Sequence, residues 1–145
     1  MNEQYTPAYF DAFKDSSRAS AEVVVPIVQS WIKPRTVVDM GCGLGMWLSV
    51  WQESGCEVSG VDGDWVDRGR LAIPGDRFIA HDLSQPYTPD GRYDLATSLE
   101  AADTLPAEAA APFVHAITAA APVVLFSASA PDQPGINHIN CQWPS

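Results

Sequence analysis

Residues 36–45 read TVVDMGCGLG and combine a short apolar run with three alternating glycines. The β-branched residues at 36–38 favour a buried strand, and the glycines directly after it favour a tight turn. Residues 46–53 then carry apolar side chains at helical spacing, and Gly55 ends that helix. The stretch therefore predicts a strand, a glycine loop and a helix whose first N–H groups are free to meet a ligand.

The rest of the chain alternates between strand-like and helix-like segments. Short apolar runs bounded by turn residues predict strands at 36–40, 57–61, 78–81, 93–99 and 122–129. Helices are predicted at 5–13, 20–33, 46–53 and 106–120, and Pro26 is expected to interrupt the second of these. Trp31, Trp47 and Trp51 lie at helical spacing and are predicted to be core residues. The alternation indicates an α/β fold with parallel strands and right-handed crossovers.

An acidic residue closes the second predicted strand at Asp62, 17 residues beyond Gly45. A carboxylate in this place hydrogen-bonds the ribose of a bound nucleotide in open α/β sheets. A dinucleotide loop needs glycine at the position of Met46, and Asp39 would repel a pyrophosphate. The same acid suits the cationic amino-acid end of S-adenosylmethionine (SAM). A tight turn without any ligand is the remaining alternative.

The composition excludes several classes of protein. The chain has 145 residues, 46% hydrophobic and 18% charged, which is typical of one globular domain and not of a disordered chain. The formal net charge of −10 argues against a nucleic-acid partner, because Lys and Arg supply the contacts to phosphate. No apolar stretch approaches the roughly 20 residues that span a bilayer, and we expect no secretory signal.

The cysteine pattern bears on the compartment and on metal binding. Cys42, Cys56 and Cys141 are an odd number without a C-x-x-C pair. This pattern indicates neither a disulfide framework nor a zinc site. We therefore expect a reducing, cytoplasmic location and no bound metal.

Most of the candidate ligand-binding residues lie in four segments at the ends of predicted strands. These segments are 37–45, 60–64, 81–83 and 93–100. Together they resemble the class I SAM-dependent methyltransferases. Residues 20–26, 137–140 and 142–144 also resemble one bacterial subgroup of methyltransferase-domain proteins. The resemblance implies a Rossmann-like, doubly wound and mostly parallel sheet with strand order 3-2-1-4-5.

The resemblance also implies a site for SAM, whose product is S-adenosylhomocysteine. Asp39, Gly41 and Gly43 would line the methionine end. Asp62 would hold the ribose hydroxyls, and Asp82 would accept a hydrogen bond from adenine N6. The full set of residues expected to contact the cofactor is Asp39, Gly41, Cys42, Gly43, Asp62, Gly63, Trp65, Asp82, Leu83 and Ser98.

The methyl acceptor is less defined by the resemblance. Glu100, at the end of the fourth strand, and His138 are expected to be catalytic, as a base or as positioning groups. Thr104 stands where the family usually has His, and Cys141 stands where it usually has an acid. We expect transfer to O or N of a small-molecule or glycan-type acceptor.

Two other functions stay open at this point. A SAM-binding module without catalytic activity is compatible with Thr104 and Cys141. An NAD(P)-dependent oxidoreductase is compatible with a glycine loop. Met46 and the absence of a Tyr-x-x-x-Lys pair count against the oxidoreductase.

The resemblance implies more strands than the five predicted here. We expect a single domain, shortened at its C-terminus, with a helical lead-in over 1–34 and a SAM-binding domain over 35–145. The fifth strand would then be an unpaired edge. Because such an edge invites pairing with another chain, a homodimer through that strand is expected.

Overall fold

A computed structural model describes residues 5–143; residues 1–4 and 144–145, the latter at the expected shortened end, lie outside it. The helices are α1 (Pro7–Ile32), α2 (Met46–Glu53) and α3 (Ala110–Ala120). The strands are β1 (Thr36–Met40), β2 (Glu57–Asp62), β3 (Phe78–Ala80), β4 (Leu95–Leu99) and β5 (Val124–Ser127). Short 3-10 turns lie at Arg68–Arg70, Gly75–Arg77, Ala102–Thr104 and Ala107–Ala109. All five predicted strands are present, although β4 and β5 each begin two residues later than predicted.

The strands form one parallel sheet in the order β3-β2-β1-β4-β5. The predicted fold class and strand order are therefore confirmed. Val38 of β1 pairs with Ser59 on one side and with Ala96 on the other, so β1 is the central strand. The strand order reverses between β1 and β4, and in such sheets a crevice opens at the carboxyl ends of these strands.

Helices cover both faces of the sheet. On one face, α1 and α2 bury Val25, Leu48 and Trp51 against the strands. On the other face, α3 buries Phe113 and Ile117. Within residues 5–143 no helix is long and apolar enough to cross a bilayer.

The first helix is continuous, where the sequence predicted two helices and an interruption at Pro26. Thr6 begins it, because its Oγ1 accepts a hydrogen bond from the N–H of Tyr9 at 3.2 Å. Pro26 lies between Val25 and Val28, which are both buried in the core. Packing of this face offsets the backbone hydrogen bond that proline cannot make, so the helix continues.

The three tryptophans at helical spacing have different environments. Trp51 is fully buried, as predicted, whereas Trp47 is half-buried. Trp31 is 74% exposed, so its prediction as a core residue was wrong. It lies with the exposed Val23 and Ile27 on the outer side of α1. Helical spacing places residues on one face but does not say which face meets the sheet.

Candidate functional site

One cavity of about 1050 Å³ opens at the carboxyl end of the sheet. The glycine loop, the ends of β2 and β4, the beginning of α1 and the segment 133–139 contribute to its lining. Its volume suffices for a nucleoside-sized ligand together with a small second molecule. Asp62, Asp82 and Glu100 line it together with Lys14, and this excess of carboxylates favours a cationic ligand.

The loop between β1 and α2 turns sharply at its glycines. Gly41, Gly43 and Gly45 have φ angles of 89°, 52° and 77°, in the left-handed region. The N–H of Gly41 donates to the carbonyl oxygen of Val61 at 2.8 Å, which ties the loop to β2. A methyl group on Gly41 would overlap the Cβ atom of Ala101. At this position glycine is required both by the backbone conformation and by the close approach of the chain after β4.

Asp62 holds the glycine loop with its carboxylate. Its Oδ2 accepts a hydrogen bond from the N–H of Gly43 at 2.7 Å, and its Oδ1 accepts one from the N–H of Gly63 at 2.7 Å. Burial raises the pKa of Asp62, and the bonds from these two N–H groups and from Trp65 oppose that rise. A carboxylate accepts about four hydrogen bonds. Asp62 therefore keeps acceptor capacity for hydroxyl groups of a ligand in the cavity that it lines.

A stack of two aromatic rings lies beside Asp62. The indole of Trp65 packs over Gly63, where any side chain would overlap the ring. Tyr5 stacks on Trp65 with ring centroids 5.3 Å apart and an interplanar angle of 15°. Asp82, which is exposed, and Leu83, which is buried, line the cavity at the same end. Flat stacking surfaces beside a carboxylate acceptor suit a heteroaromatic ring that carries an amino group.

The beginning of α1, together with Tyr5 just before it, covers one side of the cavity. Its aromatic lining residues are Tyr5, Tyr9, Phe10 and Phe13. The hydroxyl of Tyr5 donates to Thr104 Oγ1 at 2.9 Å, so this ring spans the cavity from Trp65 to the turn after β4. Burial, with Tyr5 and Asp62 nearby, raises the pKa of Tyr9 to about 12. This aromatic cover of the cavity was not predicted from the sequence, although the helical spacing of the four aromatic residues was an available signal.

The side chain of Cys42 is a packing group within the loop. It is buried at the cavity wall and lies over Gly60, where a Cβ atom would be 2.6 Å from its Sγ. Burial, together with the carboxylates of Asp62 and Asp39, raises the pKa of the thiol well above its usual value. The thiolate needed for a nucleophile is therefore disfavoured.

Glu100, Ser129 and His138 form a connected group at the other end of the cavity. Ser129 Oγ lies 3.2 Å from Glu100 Oε2 and 3.0 Å from His138 Nε2. Glu100 has a φ angle of 56°, a strained conformation for a residue with a side chain. Both residues predicted to be catalytic line the cavity. Nothing in the sequence marks Ser129, which connects them.

Two residues predicted to contact the cofactor are buried in the sheet, and neither belongs to the described residues that line the cavity. Asp39 is 3% exposed and accepts a hydrogen bond from Thr97 Oγ1 at 2.7 Å. Burial raises the pKa of Asp39 to about 7, against the effect of the Thr97 bond. Ser98 is fully buried. Neighbouring strands and helices on both faces cover these positions, because β1 and β4 lie inside a doubly wound sheet.

A family model described as "Methyltransferase domain" matches residues 13–140. This range includes the glycine loop, the five strands and His138. No curated protein matches the chain.

Several solved structures share the fold. CalS10, described as an amino pentose methyltransferase from Micromonospora echinaspora with SAM bound, has a TM-score of 0.72 and 20% identity, over 92% of this chain and 61% of that one. The PH0226 protein from Pyrococcus horikoshii OT3 has a TM-score of 0.66 and 19% identity, over 87% and 60%. Magnesium protoporphyrin IX methyltransferase (ChlM) from Synechocystis PCC 6803, with SAM bound, has a TM-score of 0.58 and 21% identity, over 80% and 60%.

The chain thus spans about three fifths of the length of each of these three proteins. At such identities the likeness concerns the fold alone. The family model covers most of the chain, and the glycine loop and the whole sheet lie within the matched range. The chain therefore belongs to the methyltransferase-domain family.

Proposed function

We propose that the chain binds SAM in the cavity and transfers its methyl group to a small-molecule acceptor. The observation that carries this proposal is the glycine loop held to Asp62 beside the stacked rings of Trp65 and Tyr5. Family membership supports it, as do CalS10 and ChlM, two neighbours described with SAM bound. The carboxylate-rich lining suits a ligand with a sulfonium and an ammonium group.

The parts of SAM correspond to successive parts of the cavity. The methionine end would lie against Gly41, Cys42 and Gly43, where the glycines let a ligand come close to the main chain. The ribose hydroxyls would donate to Asp62. The adenine would lie against the ring of Trp65, which covers Gly63, and near Asp82 and Leu83 at the same end of the cavity. Asp39 and Ser98 would not contact SAM; they are buried in β1 and β4, and they would stabilise the strands that position the glycine loop.

Methyl transfer is an in-line displacement at the methyl carbon. An acceptor oxygen or nitrogen forms a bond to that carbon while the carbon–sulfur bond breaks, and its electron pair stays on S-adenosylhomocysteine. The main requirement is a held and aligned acceptor, with a base for a protonated acceptor. Glu100 and His138 would receive or direct that proton, because both line the same end of the cavity and contact Ser129.

Calorimetric titration with SAM tests the cofactor assignment. Asp62→Ala should weaken binding by about 1.5–3 kcal/mol, or roughly 10- to 150-fold, because it removes charge-assisted hydrogen bonds. Asp64→Ala is the matched control, since Asp64 is an exposed acid on the same loop. Asp62→Asn should lie between wild type and Asp62→Ala, because its amide oxygen still accepts a bond from the loop. Unchanged affinity in both Asp62 variants, or tight NADH binding without SAM binding, would contradict the assignment.

The acceptor is tested with a panel of amino and hydroxyl compounds that includes amino sugars, as the description of CalS10 motivates. Mass spectrometry would detect the methylated product together with S-adenosylhomocysteine. Glu100→Gln and His138→Gln should slow turnover, whereas His115→Gln, at an exposed position on α3, should not. SAM binding without turnover of any compound would favour the non-catalytic module.

We also propose that β5 mediates a homodimer. Among the described strands β5 pairs with β4 alone, and its Phe126 is 49% exposed. Exposed strand edges promote pairing between chains. Phe126→Lys should shift the protein to a monomer in light scattering after size exclusion, and a monomeric wild type would contradict the proposal.

The proposed setting is a reducing cytoplasm without a nucleic-acid partner. All three cysteines are free thiols in the structure. Free thiols are maintained in reducing compartments. The formal net charge of −10 disfavours binding to a phosphate backbone.

A further inference from the structure

Asp103, His138 and Cys141 meet next to the acceptor end of the cavity. One donor atom of each lies within 4.8 Å of the other two, and Asp103 Oδ2 is 3.4 Å from His138 Nε2. The N–H groups of Ile139 and Asn140 donate to the backbone oxygen of Asp103 at 3.0 and 2.9 Å. These two bonds hold the segment that carries His138 and Cys141 against the turn that carries Asp103.

The carboxylate of Asp103 is buried and under-partnered. Its side chain is 1% exposed, and neither of its oxygens has a hydrogen-bond partner among the described residues. The contact at 3.4 Å from His138 reaches only one of the two oxygens. A buried carboxylate is strongly unfavourable unless positive charge or hydrogen bonds compensate it. The cluster is therefore a place where a cation would be stabilised.

The ring of His138 is oriented in the way that suits a metal ligand. Its Nδ1 lies 3.2 Å from the backbone oxygen of Gln133, which only accepts hydrogen bonds, so Nδ1 carries a proton. In the neutral ring, Nε2 then presents a lone pair to Asp103 Oδ2. This pairing of Nδ1–H with a backbone carbonyl is common in histidines that bind metals through Nε2. Gly135 makes room for the ring, because any side chain at that position would overlap it.

We propose that Asp103, His138 and Cys141 bind a zinc ion. Carboxylate oxygen, imidazole nitrogen and thiolate sulfur are the donors that zinc prefers. Zinc bonds of about 2.0–2.3 Å in a tetrahedron place neighbouring donors roughly 3.3–3.7 Å apart. The oxygen and nitrogen already have this separation at 3.4 Å. The sulfur of Cys141, on a partly exposed side chain, lies within 4.8 Å of a donor atom of each of the other two residues, so a shift on the order of 1 Å brings it to the same spacing.

Three protein ligands leave a fourth position for water or an acceptor atom, which is typical of reactive zinc sites. With zinc on Nε2 of His138, the hydroxyl of Ser129 would turn to Glu100 alone. Glu100 would then be the group that takes the proton of the acceptor. None of its three ligands is assigned to SAM, so zinc binding can be tested apart from SAM binding, and His138 would hold the metal instead of taking the acceptor proton.

The test is a titration of the EDTA-treated chain of residues 1–145 with Co²⁺ and then with Zn²⁺. We expect one Co²⁺ per chain, with a thiolate-to-cobalt charge-transfer band, visible absorption typical of four-coordinate cobalt, and loss of both signals when Zn²⁺ is added. Cys141→Ser should abolish the charge-transfer band. Asp103→Asn and His138→Gln should weaken Zn²⁺ binding by more than about tenfold, and His115→Gln should leave it unchanged.

Several outcomes would overturn the zinc site. The first is the absence of a thiolate-to-cobalt band when Co²⁺ is added to the wild-type protein. In that case Asp103 and His138 would form a pair without metal, and no variant is needed to reach this conclusion. The band could persist in Cys141→Ser, which would assign it to another cysteine. Far-ultraviolet circular dichroism identifies variants that fail to fold. A parallel SAM titration separates the two proposals, since zinc binding without SAM binding contradicts only the proposed function, and the reverse contradicts only the zinc site.

Discussion

Replacing Asp39 by Asn should remove a pH dependence of the folding free energy. Asp39 is 3% exposed, and burial raises its pKa from 3.8 to about 7. The hydroxyl of Thr97 donates to Asp39 Oδ1 at 2.7 Å and opposes that rise only in part. An Asn side chain keeps an oxygen that accepts the same bond, and it carries no charge at any pH.

The sign follows from the higher proton affinity of the folded state. The Asp39 carboxyl ionises near 3.8 in the unfolded chain but near 7 in the folded protein. Its contribution to stability is therefore fully present below about pH 4 and is lost as the pH rises through about 7. The whole difference is about 4 kcal/mol at about 1.4 kcal/mol per pKa unit, and about 3 kcal/mol of it is lost between pH 5 and 8.5.

Urea denaturation across this pH range measures the effect. We expect the free energy of unfolding of wild type to fall, relative to that of Asp39→Asn, by about 3 kcal/mol from pH 5 to pH 8.5. Subtraction of the two curves removes the contributions of the histidines, which are not among the groups that shift the pKa of Asp39. Asp15→Asn, at an exposed position on α1, should follow wild type. Parallel curves for wild type and Asp39→Asn would refute the assignment of a buried, proton-binding carboxyl to Asp39.

Two further pairs of substitutions test the loop and the core by urea denaturation. Gly41→Ala should lower the free energy of unfolding by at least about 2 kcal/mol, because its methyl group would overlap Ala101 at a φ angle of 89°. In Gly75→Ala no atom lies within 4 Å of the new methyl group, so the free energy of unfolding should change by less than about 1 kcal/mol. Similar losses in the two variants would contradict the strain at Gly41. Trp51→Ala should cost about 3–5 kcal/mol because Trp51 is fully buried. Trp31→Ala should stay within about 0.5 kcal/mol, and a large loss there would show that its exposed face is covered in solution.

Local patterns predicted much of the fold. The run of β-branched residues before Gly41 and the left-handed glycines after it have few alternative conformations, so this strand and loop could be placed from the sequence. The resemblance then supplied the strand order, which the structure confirms. The prediction at Pro26 was wrong, because core packing offsets the cost of the backbone hydrogen bond that proline cannot make. The sequence pattern does not show how much packing that helix face will have.

Some residues of the site could also be placed from local sequence, whereas others depend on tertiary contacts. Asp62 ends β2 and Trp65 lies three residues beyond it. The carboxyl ends of parallel strands share one edge of the sheet, so the place of both residues at the cavity could be expected from the sequence. Asp39 also lies near the loop in sequence, yet the structure buries it between neighbouring strands. Cover from the neighbouring strands and from helices on both faces of the sheet decides such burial, and it is not visible in a motif.

The sequence alone therefore determines the elements whose conformation depends on adjacent residues, namely the strands, the glycine loop and the acid that ends β2. Tertiary structure decides the contacts between distant segments. It brings α1 over the cavity, connects Glu100 to His138 through Ser129, and places Asp103 beside the histidine. The reason is that β5 pairs in parallel with β4 and the segment after β5 bonds to the turn that follows β4, and sequence spacing does not show which side chains these contacts bring together.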